Sequence, residues 1–266
     1  MYKVVVSDLD GTLLNNHHQI SSHTRRTLHA LTDRGIRFIV ATGRHHVDVQ
    51  SIRDALGLDI YLITANGAVV HDPEDRCIYN QTIPPALAQE LVEIERLPDI
   101  ALHVYRGDEW LVEAESPELL AYHKESGFTY RVEDLQACDK QQINKIFYVG
   151  EHADLLELEH RLLSYYGDQL SIAFSTPTCL ETMQKGVNKG NAVKAVLEQN
   201  GYKLTDAVAF GDGMNDREML SMVGLGVVMG NAHSRLKEAL PNHPRALTND
   251  EEGVAEYLRQ LFGKTA

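Results

Sequence analysis

The sequence predicts an α/β protein, a Rossmann-like doubly wound parallel-sheet core with an inserted α+β segment. Three observations lead there. Short β-branched or apolar runs alternate with helix-length amphipathic stretches in both the first 80 and the last 80 residues. Several of those runs end abruptly on small or charged residues, as Val4-Val5-Val6 ends on Ser7-Asp8 and Ala207-Val208-Ala209-Phe210 ends on Gly211-Asp212. Between these halves the pattern changes to paired short strands with helices interspersed, the mark of an antiparallel sheet covered on one face.

Taken in order, the run at Val4 reads as a strand buried on both faces, followed by Asp8-Leu9-Asp10-Gly11-Thr12, where Gly11 lets the chain turn. A helix follows over 21–34, capped by Ser21 or Ser22, with Leu28 and Leu31 inward and Gly35 as its stop. Strand 36–41 comes next and ends on Thr42-Gly43-Arg44, then helix 45–56 and strand 60–64. Strand, helix and strand at this spacing form a right-handed parallel crossover, which sets Thr42 beside Asp8. Asn66-Gly67, ahead of the strand 69–71, signals a hairpin turn. Ile83-Pro84-Pro85 is a stiff linker.

Beyond it the pattern gives helix 86–96, strands 101–106 and 109–113, and helix 117–126. Strand 143–149, helix 153–166 and strands 170–175 and 178–183 complete the segment, and Lys185-Gly186 links back. The core resumes with helix 188–200, strand 206–211, strand 225–229 and helix 233–239. Helix 250–262 closes the chain with Val254, Tyr257, Leu258 and Leu261 on one face. The division is therefore residues 1–83 and 187–266 as core and 84–186 as insert, whose ends must lie close together so that the halves complete one sheet.

Composition bounds the function. A chain of 266 residues with 43% hydrophobic and 24% charged residues has enough apolar material for a full core. Its net charge of −13 disfavours nucleic acid and anionic lipid as general partners. No stretch approaches a membrane span, and the opening Val run is too short for a secretory signal. Three cysteines, Cys77, Cys138 and Cys179, form no Cys-x-x-Cys pair and fit reduced thiols in the cytoplasm.

The chemistry concentrates at strand ends, where open α/β sheets bind ligands. Asp8 and Asp10, two residues apart in extended chain, face the same side, and two such acids require a cation. A hard divalent ion, Mg²⁺, suits oxygen ligands. Read alone, Asp-Leu-Asp-Gly is also a turn, Thr42 also a helix cap, Asn66 also a turn residue and Lys189 also a solvated helix-start charge. Asp212 and Asp216 in Gly-Asp-Gly-Met-Asn-Asp are equally compatible with a helix start.

Together and in order, Asp-x-Asp-Gly-Thr, Thr-Gly-Arg, Lys and Gly-Asp-Gly-x-Asn-Asp resemble the four motifs of the haloacid-dehalogenase-like superfamily. The insert of about 100 residues between the second and third motifs resembles the large cap of its Cof-type branch. That resemblance implies phosphatase chemistry, with Asp8 as nucleophile and Asp10 as general acid and then base. It implies Mg²⁺ held by the carboxylates of Asp8 and Asp212 and the backbone carbonyl of Asp10, with Asp216 supporting the site. Phosphoryl oxygens would be bound by the Leu9 backbone N–H, Thr42, Gly43, Lys189 and Asn215. Arg44 and Asn66 are candidate substrate contacts, and the substrate would be a small phosphorylated metabolite, pyridoxal 5′-phosphate and some sugar phosphates among them. The alternatives to weigh are a phosphomutase and a non-catalytic phosphate-sensing module. Oligomeric state is not legible in the sequence.

Overall fold

A computed structural model of the chain describes residues 2–116, 120 and 126–263. Its main sheet contains strands β1 (Val4–Ser7), β2 (Arg37–Ala41), β3 (Tyr61–Thr64), β4 (Val69–His71), β5 (Cys77–Asn80), β12 (Ala207–Gly211) and β13 (Leu225–Val228). The spatial order is β13-β12-β1-β2-β3-β4-β5. The first five of that order run parallel, and β4 and β5 are antiparallel additions at one edge. From β1 the chain steps outward to β2 through α1 (Ser22–Thr32) and on to β3 through α2 (His46–Leu56). On the other side β12 leads outward to β13 through α6 (Arg217–Met222). Right-handed crossovers moving in opposite directions put the two sets of helices on opposite faces. The reversal of order lies between β1 and β12, and Asp8 and Asp212 follow their carboxyl ends. That is the crevice where doubly wound sheets bind ligands.

The central strands β1 and β12 are buried along their length and apolar but for Ser7, with Val4, Val5, Val6, Ala207, Val208, Ala209 and Phe210 all buried, because helices cover them on both sides. Ser21 caps α1 by accepting from the Thr24 backbone N–H. The α2 cap is His45, whose Nδ1 accepts from Val47 N, and not Thr42. Thr42 lies three residues too early for that bond and accepts from the Arg44 backbone N–H instead. After the short α7 (Ser234–Ala239), helix α8 (Gly253–Phe262) starts later than the apolar pattern predicts. Val254, Ala255, Leu258 and Phe262 form its inward face and Leu261 is exposed, because Phe262 rather than Leu261 continues the spacing of four from Val254 and Leu258. Among the described residues no helix is long and apolar enough to cross a membrane.

A second sheet, of order β10-β11-β9-β6-β7-β8, is built entirely from residues between β5 and α5 (Lys189–Gln199). Its strands are β6 (Ala101–Arg106), β7 (Glu109–Val112), β8 (Tyr130–Val132), β9 (Ile143–Val149), β10 (Leu170–Thr176) and β11 (Cys179–Gln184). The strands pair antiparallel except β7 with β8, which run parallel. β8 and the edge strand β5 escape apolar pattern reading because their residues are largely exposed. The helix expected over 117–126 lies outside the described residues except for residues 120 and 126.

Register sorts this second sheet into two faces. Leu102, Val104, Ile146, Tyr148 and Leu180 share a cluster with Leu87 and Leu91 of α3 (Pro85–Glu93) and Leu155, Leu158 and Leu162 of α4 (His152–Tyr166). The alternate positions, His103, Tyr105, Lys145, Phe147 and Glu181, point away from those helices and toward the main sheet's loops. Helix α3 begins directly at Pro85, a residue well suited to the first turn because its missing N–H is an orphan there anyway.

Candidate active site

The residues after β1 leave the strand in one tight, irregular helical turn, Leu9–Leu13, closed by the Leu14 backbone N–H on Leu9 O. Gly11 within it has φ +70°, and a Cβ there would stand 2.3 Å from Asp212 Oδ2. Only glycine lets the turn approach β12 this closely. Thr12, buried in the same turn, donates its hydroxyl proton to Asp212 Oδ1 at 2.9 Å. This fixes the Asp212 carboxylate beside Asp8.

The third motif, Lys189, comes from α5. Asn188 caps that helix through its side chain on Asn191 N, and Lys189 starts it, fully buried. The Lys189 ammonium donates to Asp8 Oδ1 at 2.8 Å and to Asp216 Oδ1 at 2.7 Å. Asp216 Oδ2 meanwhile accepts from the backbone N–H groups of Asp212 and Gly213 at 2.9 and 3.0 Å. Both Asp216 oxygens are thus occupied in holding the loop and the lysine. One carboxylate oxygen from each of Asp8, Asp212 and Asp216 lies within 4.8 Å of the others.

Three acids around one ammonium leave excess negative charge in a buried place, and the titration reflects it. Burial pushes the Asp8 carboxyl well above the carboxylate range, Lys189 pulls it down, and Asp216 and Asp212 push it up further. Burial, then repulsion by Asp216, raises Asp212 to about 7. Burial opposes the Lys189 charge, but Asp216 and Asp8 outweigh it and hold the ammonium protonated. A small hard cation among these oxygens would relieve the same repulsion. The donor set, all oxygen and all anionic, fits Mg²⁺ chemically.

The Asp10 carboxylate does not join that cluster, contrary to the expectation that it faces the same side as Asp8, because the chain leaves the extended strand for the irregular turn at Leu9. Its two oxygens accept from Arg44 Nε and Nη2 at 2.7 and 2.6 Å, and His18 Nδ1 lies 3.3 Å away. Burial alone would raise Asp10, yet the hydrogen bonds from Arg44 and His18 hold it far below the usual carboxylate range. Arg44 also donates to Asp48 Oδ2 at 3.2 Å. The guanidinium read as a substrate contact is therefore engaged with two carboxylates, Asp10 of the turn after β1 and Asp48 of the first turn of α2.

Thr42, Gly43, Asn66 and Asn215 converge under the second sheet. Asn215 Nδ2 donates to Asn66 Oδ1 at 3.0 Å, and Asn66 Nδ2 donates to Glu181. Asn66 has φ 56° in its turn, so both readings of it, as turn residue and as site residue, describe the same geometry. Lys145 closes the chain, donating to Glu181 Oε1 at 2.7 Å and to the Gly43 carbonyl at 2.6 Å. Its ammonium also sits 4.5 Å from the Tyr105 ring centroid and 4.7 Å from that of Phe147. Sequence reading missed Lys145 and Glu181, although a lysine in the middle of Ile143-Asn144-Lys145-Ile146-Phe147 was a visible signal, since mid-strand charges need a reason. A further contact joins the two sheets' loops where His45 Nε2 donates to Gly107 O at 2.8 Å and the ring stacks on Phe128. Beside Asn66 and Asn215 lies a cavity of about 380 Å³ walled by Phe174, Met183, Asn188 and Arg235.

The family model for haloacid dehalogenase-like hydrolases matches residues 5–258. The chain is 41% identical to a Haemophilus influenzae protein, over 98% of this chain and 97% of that relative. It is 39% identical to the HMP-PP phosphatase of Yersinia enterocolitica, covering 97% and 95% respectively. A solved haloacid dehalogenase-like hydrolase from B. subtilis superposes with a TM-score of 0.87 at 31% identity, covering 97% of this chain and 99% of that one. A match spanning nearly the whole chain, with the carboxylates at the switch point of the sheet, places this protein in the haloacid dehalogenase-like hydrolase family.

Proposed function

We propose that the protein is a Mg²⁺-dependent phosphatase of small phosphorylated metabolites, working through a phosphoryl group carried on Asp8. The observation that supports this reading is Lys189 bridging Asp8 and Asp216 beside Asp212 at the carboxyl ends of β1 and β12. An Asp8 oxygen attacks phosphorus and the bond from phosphorus to the leaving oxygen breaks, while a proton from Asp10 goes to that oxygen. Water then attacks the same phosphorus, Asp10 takes the water's proton, and the bond to Asp8 breaks to release phosphate.

Lys189 offsets the repulsion between Asp8 and an incoming dianion. Leu9 N–H, Thr42, Gly43 and Asn215 hold the phosphoryl oxygens. Asp8, Asp212 and the Asp10 carbonyl would hold Mg²⁺, with Asp216 fixing the loop, and the ion supplies charge neutralisation for the transferred group. Arg44 and His18 keep Asp10 as a carboxylate, the form that accepts the water's proton. A phosphate dianion against Asp10 opposes the Arg44 charge and raises the carboxylate's proton affinity, so that Asp10 takes up from solvent, as substrate binds, the proton it gives in the first step.

Residues 84–186 act in this reading as a cap over a core made of 1–83 and 187–266. The Lys145–Glu181–Asn66–Asn215 chain is the contact through which the cap rests on the site. Candidate substrates are the HMP-PP of the Yersinia relative's name, pyridoxal 5′-phosphate and sugar phosphates. The test is phosphate release from that panel by wild type and Asp8→Asn, with Mg²⁺ and with EDTA. Metal-dependent release that falls at least a thousandfold in a folded Asp8→Asn is expected, as for removal of other covalent nucleophiles (about 10⁶ in a serine protease). Substantial residual hydrolysis with an intact far-UV spectrum would sink the assignment of Asp8.

A further inference from the structure

Lys145 of β9 and Glu181 of β11 form an ion pair at 2.7 Å inside the second sheet, with 2% and 3% of their surface exposed. A buried ion pair needs further hydrogen bonds for the donors and acceptors it leaves over. Here the main-sheet loops supply them. Lys145 donates to the Gly43 carbonyl at 2.6 Å, and Glu181 accepts from Asn66 Nδ2. Gly43 makes the approach possible, since a Cβ there would stand 3.0 Å from Asn66 Oδ1 and 3.5 Å from both Glu181 oxygens.

Each contact fixes a group that would otherwise be able to turn. An ammonium only donates and a carboxylate only accepts. Lys145 therefore holds the Gly43 carbonyl, and the same peptide unit carries the Arg44 N–H, which donates to Thr42 Oγ1 at 3.1 Å. With its oxygen accepting there, the buried Thr42 hydroxyl has its proton left to give. On the other side Glu181 takes the Asn66 amide by its nitrogen, which turns Oδ1 toward Asn215 Nδ2, 3.0 Å away. One N–H of Asn215 is thereby held and the second is left for another acceptor. An Asn66 amide turned end for end would set a donor against a donor and release Asn215.

We infer that Lys145 and Glu181 are positioning residues for the phosphoryl group. Through Gly43 they set the Thr42 hydroxyl, and through Asn66 they set the Asn215 amide. This rests on the phosphatase reading above and deepens it: the inserted sheet governs binding of the phosphoryl group itself, whatever leaving group it carries. The pair acts through residues of the main-sheet loops, so its contribution requires no contact between substrate and the pair.

Inorganic phosphate has no leaving group, so its inhibition constant isolates this effect. Lys145→Met/Glu181→Leu removes both charges together, a replacement that buried ion pairs often tolerate without loss of stability. Its Ki for phosphate should rise by about tenfold or more, the scale of one hydrogen bond to a charged group. Its kcat/KM for phenyl phosphate, glycerol 3-phosphate and pyridoxal 5′-phosphate should fall together, with the ratios among them unchanged. Lys145→Met/Glu181→Gln keeps an acceptor for Asn66 but not the anchor on Gly43, so its Ki should lie between the other variant and wild type. That second variant carries the test if the first does not fold. A phosphate Ki equal to wild type in the folded variants overturns the inference. That would hold whether turnover drops through a smaller active fraction, as for a merely structural pair, or the ester ratios shift, as for a pair that reads the leaving group. If wild type releases phosphate from none of the three esters with Mg²⁺, the phosphatase reading itself fails.

Discussion

Replacing Lys189 with methionine removes a cation that touches both Asp8 and Asp216. Each contact, at 2.8 and 2.7 Å, amounts to about 6 kcal/mol of gross attraction at an effective dielectric near 20. Desolvating the ammonium offsets much of this, so the net loss is the one seen when a buried pair loses one member, about 3–5 kcal/mol. In a chain of this size that corresponds to a fall in Tm of roughly 10 °C.

The loss has a pH signature. Asp212 titrates at about 7 in the folded chain against 3.8 ordinarily. An acid whose folded pKa is raised binds its proton more tightly in the native state, so its effect on stability worsens as pH climbs through that window and is complete above it. Asp8 is shifted the same way. Without Lys189 both shifts grow, so the difference between wild type and Lys189→Met should be largest at pH 8 and should shrink toward pH 4.5, where the acids are protonated. Urea unfolding followed by circular dichroism in EDTA, at several pH values, measures this directly. A variant as stable as wild type at pH 8, or a deficit that does not change with pH, would refute the electrostatic account.

Two further substitutions probe neighbouring geometry. Lys145→Met leaves Glu181 buried and unpaired and should destabilise by about 3–5 kcal/mol; adding Glu181→Gln should recover more than half of it, as chemical denaturation of both variants would show. Gly11→Ala forces a side chain into φ +70° with its Cβ 2.3 Å from the Asp212 carboxylate. Its kcat/KM should fall by about a hundredfold or more through displacement of that acid, while stability drops by only about 1–3 kcal/mol; steady-state kinetics beside thermal melts would separate the two.

What the sequence disclosed and what it hid follow from the range of the interactions. The strands at Val4, Ile36 and Ala207 were legible because parallel strands covered on both faces must be uninterrupted apolar runs. The carboxylates Asp8, Asp10, Asp212 and Asp216 stood out because glycine-bounded turns at strand ends are local features. The bonding of Arg44 was not legible, since its pairing with Asp10 depends on how two loops from different strands meet. Lys145 and Glu181 were hidden for a related reason. Their meaning comes from the register between β9 and β11 and from contact with Gly43, more than 100 residues away in sequence. The placement of Leu261 on the inward side of α8 failed at the helix end, where one residue of phase decides between exposure and burial.

The pairing of β1 carries a consequence for the order in which the molecule is made. One edge of β1 meets β2 within about 30 residues, but its other edge meets β12, with Val4 beside Ala207. During translation the N-terminal strand waits, half-paired, until three-quarters of the chain has left the ribosome, while every strand of the second sheet already has its neighbours. Such late, non-local pairing slows assembly and exposes a strand edge to wrong partners. The inserted sheet is thus the first unit that can complete itself. Asp8 and Asp212 meet only at the last stage of folding, so nascent chains and truncated products lack the paired carboxylates on which phosphoryl chemistry would depend.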